Sequence, residues 1–300
     1  MAISRQQLAK ELEPGLNALF GLEYQNYENQ HAEIYDTENS DRAFEEEVML
    51  SGFDKANVKA EGSAVAYDNA QETFTARYQH ETISLAFAIT EEAIEDNLYD
   101  KISTRYTKAL ARSMAQTKQV KAVNILDNAF TSATGGDGKA LCATDHPTIA
   151  GTFSNELATP ADLSETSLEQ ACIDIAKMTD ERGLKIAARG QKLIIHSSQQ
   201  FIAERIMKSA NRVGTADNDI NALASKGMIP QGYVVNNFLS DDDAFFIMTD
   251  VPNGMKHMVR APIKTAMEGD FETGNVRYKA RERYSFGFSD PRGIFGSPGA

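Results

Sequence analysis

Several short constellations in this chain have residue types that chemistry uses. The run Gly135-Gly136-Asp137-Gly138 has the composition of a phosphate-cradling loop, and Cys142 and His146 stand four residues apart, as two metal ligands can. Neither is set up to work. No buried strand precedes the glycines and no helix pattern follows them, so a flexible turn is the reading that fits. Structural zinc needs four ligands, and no second pair accompanies Cys142 and His146. His196 closes the apolar run Lys192–His196 and reads as a satisfied core histidine. Asp241-Asp242-Asp243 lacks the ligand spacing of a calcium loop and reads as a solvated turn. The chain has no G-x-S-x-G, no G-x-x-x-x-G-K-S/T, no H-E-x-x-H and no dinucleotide fingerprint. The sequence therefore predicts no enzyme: no catalytic residues, no cofactor and no metal.

One charged pattern stands apart. Arg277, Lys279, Arg281 and Arg283 alternate with Val276, Tyr278, Ala280, Tyr284 and Phe286. On a strand this alternation puts the cations on one face, about 6.6 Å apart. Such a row repels itself unless something anionic faces it. The chain carries a net charge of -13, so the protein itself or its copies are the nearest source of carboxylates, and an acidic partner on another subunit is the preferred reading. The expectation is an assembly interface in which these four cations meet acids of neighbouring subunits. The N-terminal arm and the run Glu45, Glu46, Glu47 are the leading donors of those acids. A solvated face and DNA phosphate are the other readings.

Composition agrees with a structural role. The 42% hydrophobic content supports a real core, and no apolar run approaches the roughly 20 residues of a membrane span. Two cysteines imply no disulfide framework and suit a reducing origin. The acidic balance argues against general affinity for nucleic acid, and equally suits a container wall that must not adhere to packed DNA.

The elements that must carry these residues follow from periodicity. Residues 1–43 are polar and acidic, with short helical turns at most (Gln6–Leu12), and read as an extended arm that packs on neighbours. From Glu46 to Thr90 the pattern alternates, with turn chemistry at Gly52, Gly62 and Tyr67-Asp68-Asn69, and reads as a long two-stranded loop projecting from the body. Ile94, Leu98, Ile102, Tyr106, Leu110, Val120, Val123 and Leu126 then recur at helical steps without Gly or Pro. That predicts one helix over 91–128, capped by Thr90 and roughly 55 Å long. A rod of that length needs cover from other parts of the chain or from other chains. A loop of about thirty residues follows and reads as an excursion at the edge of the body. Ser164 or Thr166 opens a second helix, with Thr166 and Glu169 as a capping box. A strand at Lys192–His196, a helix from Ser198 to about Asn211, and strands near Gly232–Asn236 and Ala244–Thr249 make a compact α/β unit. Residues 251–288 return to β structure before a Gly/Pro-rich tail.

In this order the parts resemble a known family. The stretch TISLAFAITEEAIEDNLYDKISTRYTKALARSMAQTKQVKAVNIL resembles the strand and spine helix of tailed-bacteriophage major capsid proteins of the Hong Kong 97-type fold. GDGKALCATDHPT resembles the loop after that helix, and GMIPQGYVVNNFLSDDDAFFIMTD the close of the α/β domain. The likeness runs over roughly residues 44–290. It implies an α+β phage major capsid fold: an N-terminal arm (1–43), an extended β-hairpin loop (44–88), a peripheral domain with the spine helix (89–160 and 251–300) and an α/β axial domain (161–250). It further implies a virion protein, assembled in the host bacterial cytoplasm into hexamers and pentamers of an icosahedral head. That head encloses double-stranded DNA without reading its sequence and touches no membrane. Portal and scaffolding proteins are implied partners, and a decoration protein is possible. The chain shows no long helical scaffold segment ahead of the arm, which favours a separate scaffolding protein. Some members cross-link Lys to Asn; Lys55 and Lys59 lie in the right region, but no matching Asn is evident. The nearest rival is an encapsulin-type nanocompartment shell, which typically has a helical N-terminus lining the shell to bind cargo. An α/β enzyme is the rival from another class.

Overall fold

The computed structural model describes residues 5–90, 92–93, 99–212, 219–270 and 273–300. Its body is a four-stranded sheet in the order β1–β10–β11–β4, with β1 Asp36–Asn39, β4 Glu81–Ile89, β10 Met255–Gly269 and β11 Val276–Phe288. The β10–β11 hairpin supplies the long antiparallel centre, and β4 runs antiparallel along β11. Two helices cover one face. α2, Tyr99–Asp127, is 29 residues long and so spans about 43 Å. α1, Arg5–Gln25, lies beside it. Glu91 and residues 94–98, the expected start of the long helix, lie outside the described residues.

The cover that the long helix needs comes largely from its own chain. Its buried stripe runs through Ser103, Thr107, Leu110, Ala111, Met114, Ala115, Gln119, Ala122, Val123 and Leu126. Tyr106 and Val120, read from the sequence as core positions, are instead 53% and 51% exposed. Small residues seat the helix close to the sheet, and their low hydrophobicity hid the true stripe. Leu110, Ala111 and Met114 pack with Leu16 and Phe20 of α1 and with Tyr278 and Ala280 of β11.

The N-terminal segment is a helix and not the extended arm that its polar sequence predicts. Residues 5–25 are helical and pack in cis, although α1 contains Pro14, Gly15 and Gly21. Such a helix is weak alone, and tertiary contact supplies what propensity lacks. Asn17 accepts hydrogen bonds from the hydroxyls of Thr265 (2.6 Å) and Tyr278 (2.9 Å), fixing the helix to the sheet.

The projecting ribbon is shorter than the sequence suggests. β2 (Phe44–Leu50) pairs with β3 (Glu72–Gln79), and His80 separates β3 from β4, which already belongs to the body sheet. Residues 52–72 are all exposed. The base is clamped to the body: Gly136 passes so close that a Cβ there would stand 2.6 Å from the Thr75 carbonyl oxygen. Arg182 donates to the carbonyl of Asn69, just ahead of β3, at 2.5 Å.

The second sheet, ordered β12–β9–β7–β8, holds β7 Gly190–Ile195, β8 Tyr233–Val235, β9 Phe245–Thr249 and β12 Ile294–Ser297. β12 comes from the Gly/Pro-rich tail, which the expected domain division places with the peripheral domain (251–300); it returns instead to pair with β9 of the second sheet. Helices α3 (Glu165–Lys177), α4 (Gln200–Lys208) and α5 (Ala222–Lys226) accompany this sheet, with Leu168, Ile175, Ala203 and Leu223 in its core. Ser164 is the N-cap of α3, and its capping box closes with Ser167 rather than Thr166 with Glu169. The opposite face of the sheet, through Ile194, Phe246 and Ile294, meets Ala122, Val123 and Leu126 of α2. The end of α2 thus joins both sheets.

Candidate assembly surface

β11 alternates as its sequence requires. Val276, Tyr278, Ala280, Glu282 and Tyr284 are buried against the helices, while Arg277, Lys279 and Arg281 are exposed on the open face and Arg283 is half-buried there. Register decides what surrounds them. On β4, the residues opposite these four cations are Ala88, Ala86, Ser84 and Thr82. On β10 they are Glu268, Ala266, Lys264 and Ala261. The cations therefore rise over a floor of small side chains. Arg277 is paired with Asp270. Lys264, Lys279, Arg281 and Arg283 form no ion pair among the described residues. Lys264, which the sequence reading passed over, stands directly across from Arg281, and like charges in that relation destabilise a sheet. Its signal was available only once β10 and β11 were in register.

Glu45, Glu46 and Glu47 do not come together as a free acidic patch. Strand geometry splits them between the two faces of β2. Glu45 accepts a hydrogen bond from Ser40 at 2.7 Å, Glu46 faces Arg77 at 3.7 Å, and Glu47 pairs with Lys256 at 2.5 Å. Their first partners are thus in their own chain. Glu45 still reaches the cationic row indirectly: Ser40 meets His80 Nε2 at 2.8 Å, and His80 Nδ1 meets Ser285 Oγ at 3.0 Å. Burial, then the charge of Arg283, holds the His80 pKa below its ordinary value. His80 therefore sits neutral at the base of the ribbon, tying it to β11.

Behind the open face lies a charged residue that alternation alone would make apolar. Glu282 is buried and takes Lys118 of α2 at 2.6 Å, with Tyr24 of α1 donating at 3.3 Å. Burial pushes its carboxyl up, against the pull of Lys118.

The other sequence candidates have structural partners. The glycine run forms the turn that clamps the ribbon, and Asp137 within it meets His146 Nδ1 at 2.6 Å. His146 Nε2 lies 3.1 Å from Asn155, and the ring stacks on Phe153. Cys142 is a free thiol in the core. His196, expected in the core, is only partly buried; its Nδ1 accepts from the Ser198 amide as a helix cap. Asp241 accepts from the Asp243 and Ala244 amides and closes its turn. Among the described residues no group of three His, Cys, Asp or Glu side chains could hold a metal, and no helix is long and apolar enough to cross a membrane.

A sequence profile described as phage capsid protein matches residues 72–296, three quarters of the chain, from β3 through both sheets to β12. The chain belongs to the phage capsid protein family. Comparison with curated proteins finds no significant match. This capsid protein is similar in fold to the capsid of an empty GTA particle: 15% identity, 90% of each chain covered, TM-score 0.52. A virus-like particle from Pyrococcus furiosus is similar at 12% identity, with 94% of this chain and 97% of that one covered and a TM-score of 0.51. The capsid of Myoviridae phage XM1 follows at 9% identity, 86% of each chain and a TM-score of 0.50. At such identities the likeness is one of fold. The capsid protein is thus a structural protein that assembles with its own copies into a shell, and its place is the virion. Its body sheet carries the cationic row on the face that the helices leave open.

Proposed function

We infer that this capsid protein is the major shell subunit of a tailed-phage head, arranged as hexamers and pentamers around double-stranded DNA. The observation that carries the reading is the family match over residues 72–296. It takes in the ribbon strand, the spine helix and the second sheet in linear order. The body sheet with α2 corresponds to a peripheral domain, and the β12–β9–β7–β8 sheet with its helices to an axial one. Arg277, Lys279, Arg281 and Arg283, joined by Lys264, serve as a contact to carboxylates of the next subunit. Glu46, whose ion-pair partner among the described residues is the exposed Arg77, is the freest of the three acids named from the sequence. Portal and scaffolding proteins complete the head, decoration protein is optional, and assembly takes place in the host bacterial cytoplasm.

One observation favours a second reading, an encapsulin-type shell. The N-terminal segment is helical, as in such shells, and the Pyrococcus furiosus particle shares the fold. Particle content separates the two. Negative-stain microscopy of the purified chain, alone and co-expressed with a scaffolding protein, should show closed shells. Particles from the native source should hold nuclease-resistant DNA; a protein cargo in its place would favour the second reading, and failure to form any shell would overturn both.

A further inference from the structure

The turn Gln30–Glu33 lays the His31 imidazole against the body sheet, edge-on to His257 of β10 with 5.3 Å between ring centres. Phe286 of β11 stacks on His257 at 4.4 Å and meets His31 at 5.7 Å. Both imidazoles are buried. His257 Nδ1 lies 3.4 Å from the Thr37 hydroxyl, whereas His257 Nε2 and His31 Nδ1 are buried without a hydrogen-bond partner. The surroundings favour two neutral rings: burial and Lys118 outweigh the one group that favours a charged His31, the Gln119 side chain. From α2 comes the cation Lys118; from β11 come Glu282, already held by Lys118, and the phenol of Tyr284. From β1 and its approach come Tyr35, whose hydroxyl is donated to the Ala122 carbonyl, and Glu38, which pairs with Lys256. Glu33 beside His31 pairs with Lys192. Glu33, Glu38 and Glu282 are thus each already matched to a lysine.

We propose that His31 and His257 form an acid-operated clasp that holds the segment of residues 30–40 on the body while both rings are neutral and releases it when they take up protons. The pair is placed for this. His31 sits on the segment and His257 on the body, beside the other ties of the segment: Ile34 and Tyr35 in the core with Ala122 and Val123, the His31 amide to Gln119 at 3.0 Å, β1 on β10, and the Ser40 amide to Val259 at 2.9 Å. Burial, with Lys118 adding for His31, and His31 then Lys118 adding for His257, pushes the pKa of His31 down to about 4 and that of His257 to about 3. Release exposes His31 on the segment and uncovers His257 on the body, returning both imidazoles toward the ordinary pKa of about 6.5. Between these limits only the open form binds the protons, so docking is fully present above pH 6.5 and weakens as pH falls. Opening should rise about tenfold per pH unit for each ring, hence about a hundredfold for two.

Hydrogen exchange of the full chain tests this, with amides of residues 32–40 as reporters, β7 and β9 as internal controls, and rates corrected for intrinsic chemistry. The range from pH 6.0 to 5.0 lies mostly above carboxylate titration. There the opening constant of the reporters should climb by nearly two log units per pH unit while the controls stay protected. His31→Gln and His257→Gln should each reduce that slope to about one; His31→Phe and His257→Phe repeat the test with the ring volume kept. A slope of one or less in the native chain, an equal loss of protection in β7 and β9, or a slope unchanged by the substitutions overturns the clasp.

Discussion

Lys264 and Arg281 stand opposite each other across the β10–β11 ladder, two cations in direct register on a face the helices leave open. Neither forms an ion pair among the described residues. Inside the single chain this arrangement costs stability; in a shell it supplies a binding row. Lys264→Glu should therefore act in opposite directions on the two states. Denaturant unfolding of the free subunit should show a gain of about 0.2–1 kcal/mol, while shell yield falls. A variant that gains stability and assembles normally would remove the row from the contact.

Arg281→Glu with Arg283→Glu should abolish shells and leave the circular dichroism of the subunit unchanged. The same contact should be sensitive to salt. At about 1 M salt the Debye length is near 3 Å, and exposed pairs are each worth at most about 1 kcal/mol, so shells should loosen well before subunits unfold. Light scattering across a salt series reads this directly.

The ribbon and its base should separate by mutation. Removal of residues 57–71, all exposed, should leave a folded subunit that does not assemble. Gly136→Ala should instead strain the body, because the new Cβ would stand 2.6 Å from the Thr75 carbonyl oxygen. A loss of about 1–3 kcal/mol is expected, read by thermal or denaturant unfolding.

Lys118 and Glu282 should behave as a buried pair. Lys118→Met leaves the Glu282 carboxylate without its cation, a loss of about 3–5 kcal/mol. Adding Glu282→Leu should recover much of that loss. If the double variant is as unstable as the single one, packing by the Lys118 stem is what matters.

Ala109 lies on the exposed side of α2. Ala109→Pro should cost about 3 kcal/mol or more through the backbone alone, and shells of normal size and yield would show that the helix need not be continuous there.

Patterns written by neighbouring residues were legible before folding. The row on β11 follows from period-two alternation, and the long helix and strands β7, β8 and β9 of the second sheet follow from their own periodicities. So did the family, because element order is linear. What depends on distant partners was not. α1 carries Pro14, Gly15 and Gly21, and it is a helix only because Leu16 and Phe20 find Leu110, Met114 and Tyr278. The true stripe of α2 uses Ala111, Ala115 and Ala122, which bury well but weigh little in a hydrophobic pattern. Glu47 looks like a free surface acid until Lys256, two hundred residues on, closes against it. The His31–His257 pair likewise joins two segments that share nothing in sequence. Periodicity fixes which face a residue takes, because neighbouring backbone dihedrals set it. What waits on that face is decided by sheet register and chain return, and these exist only in the folded chain.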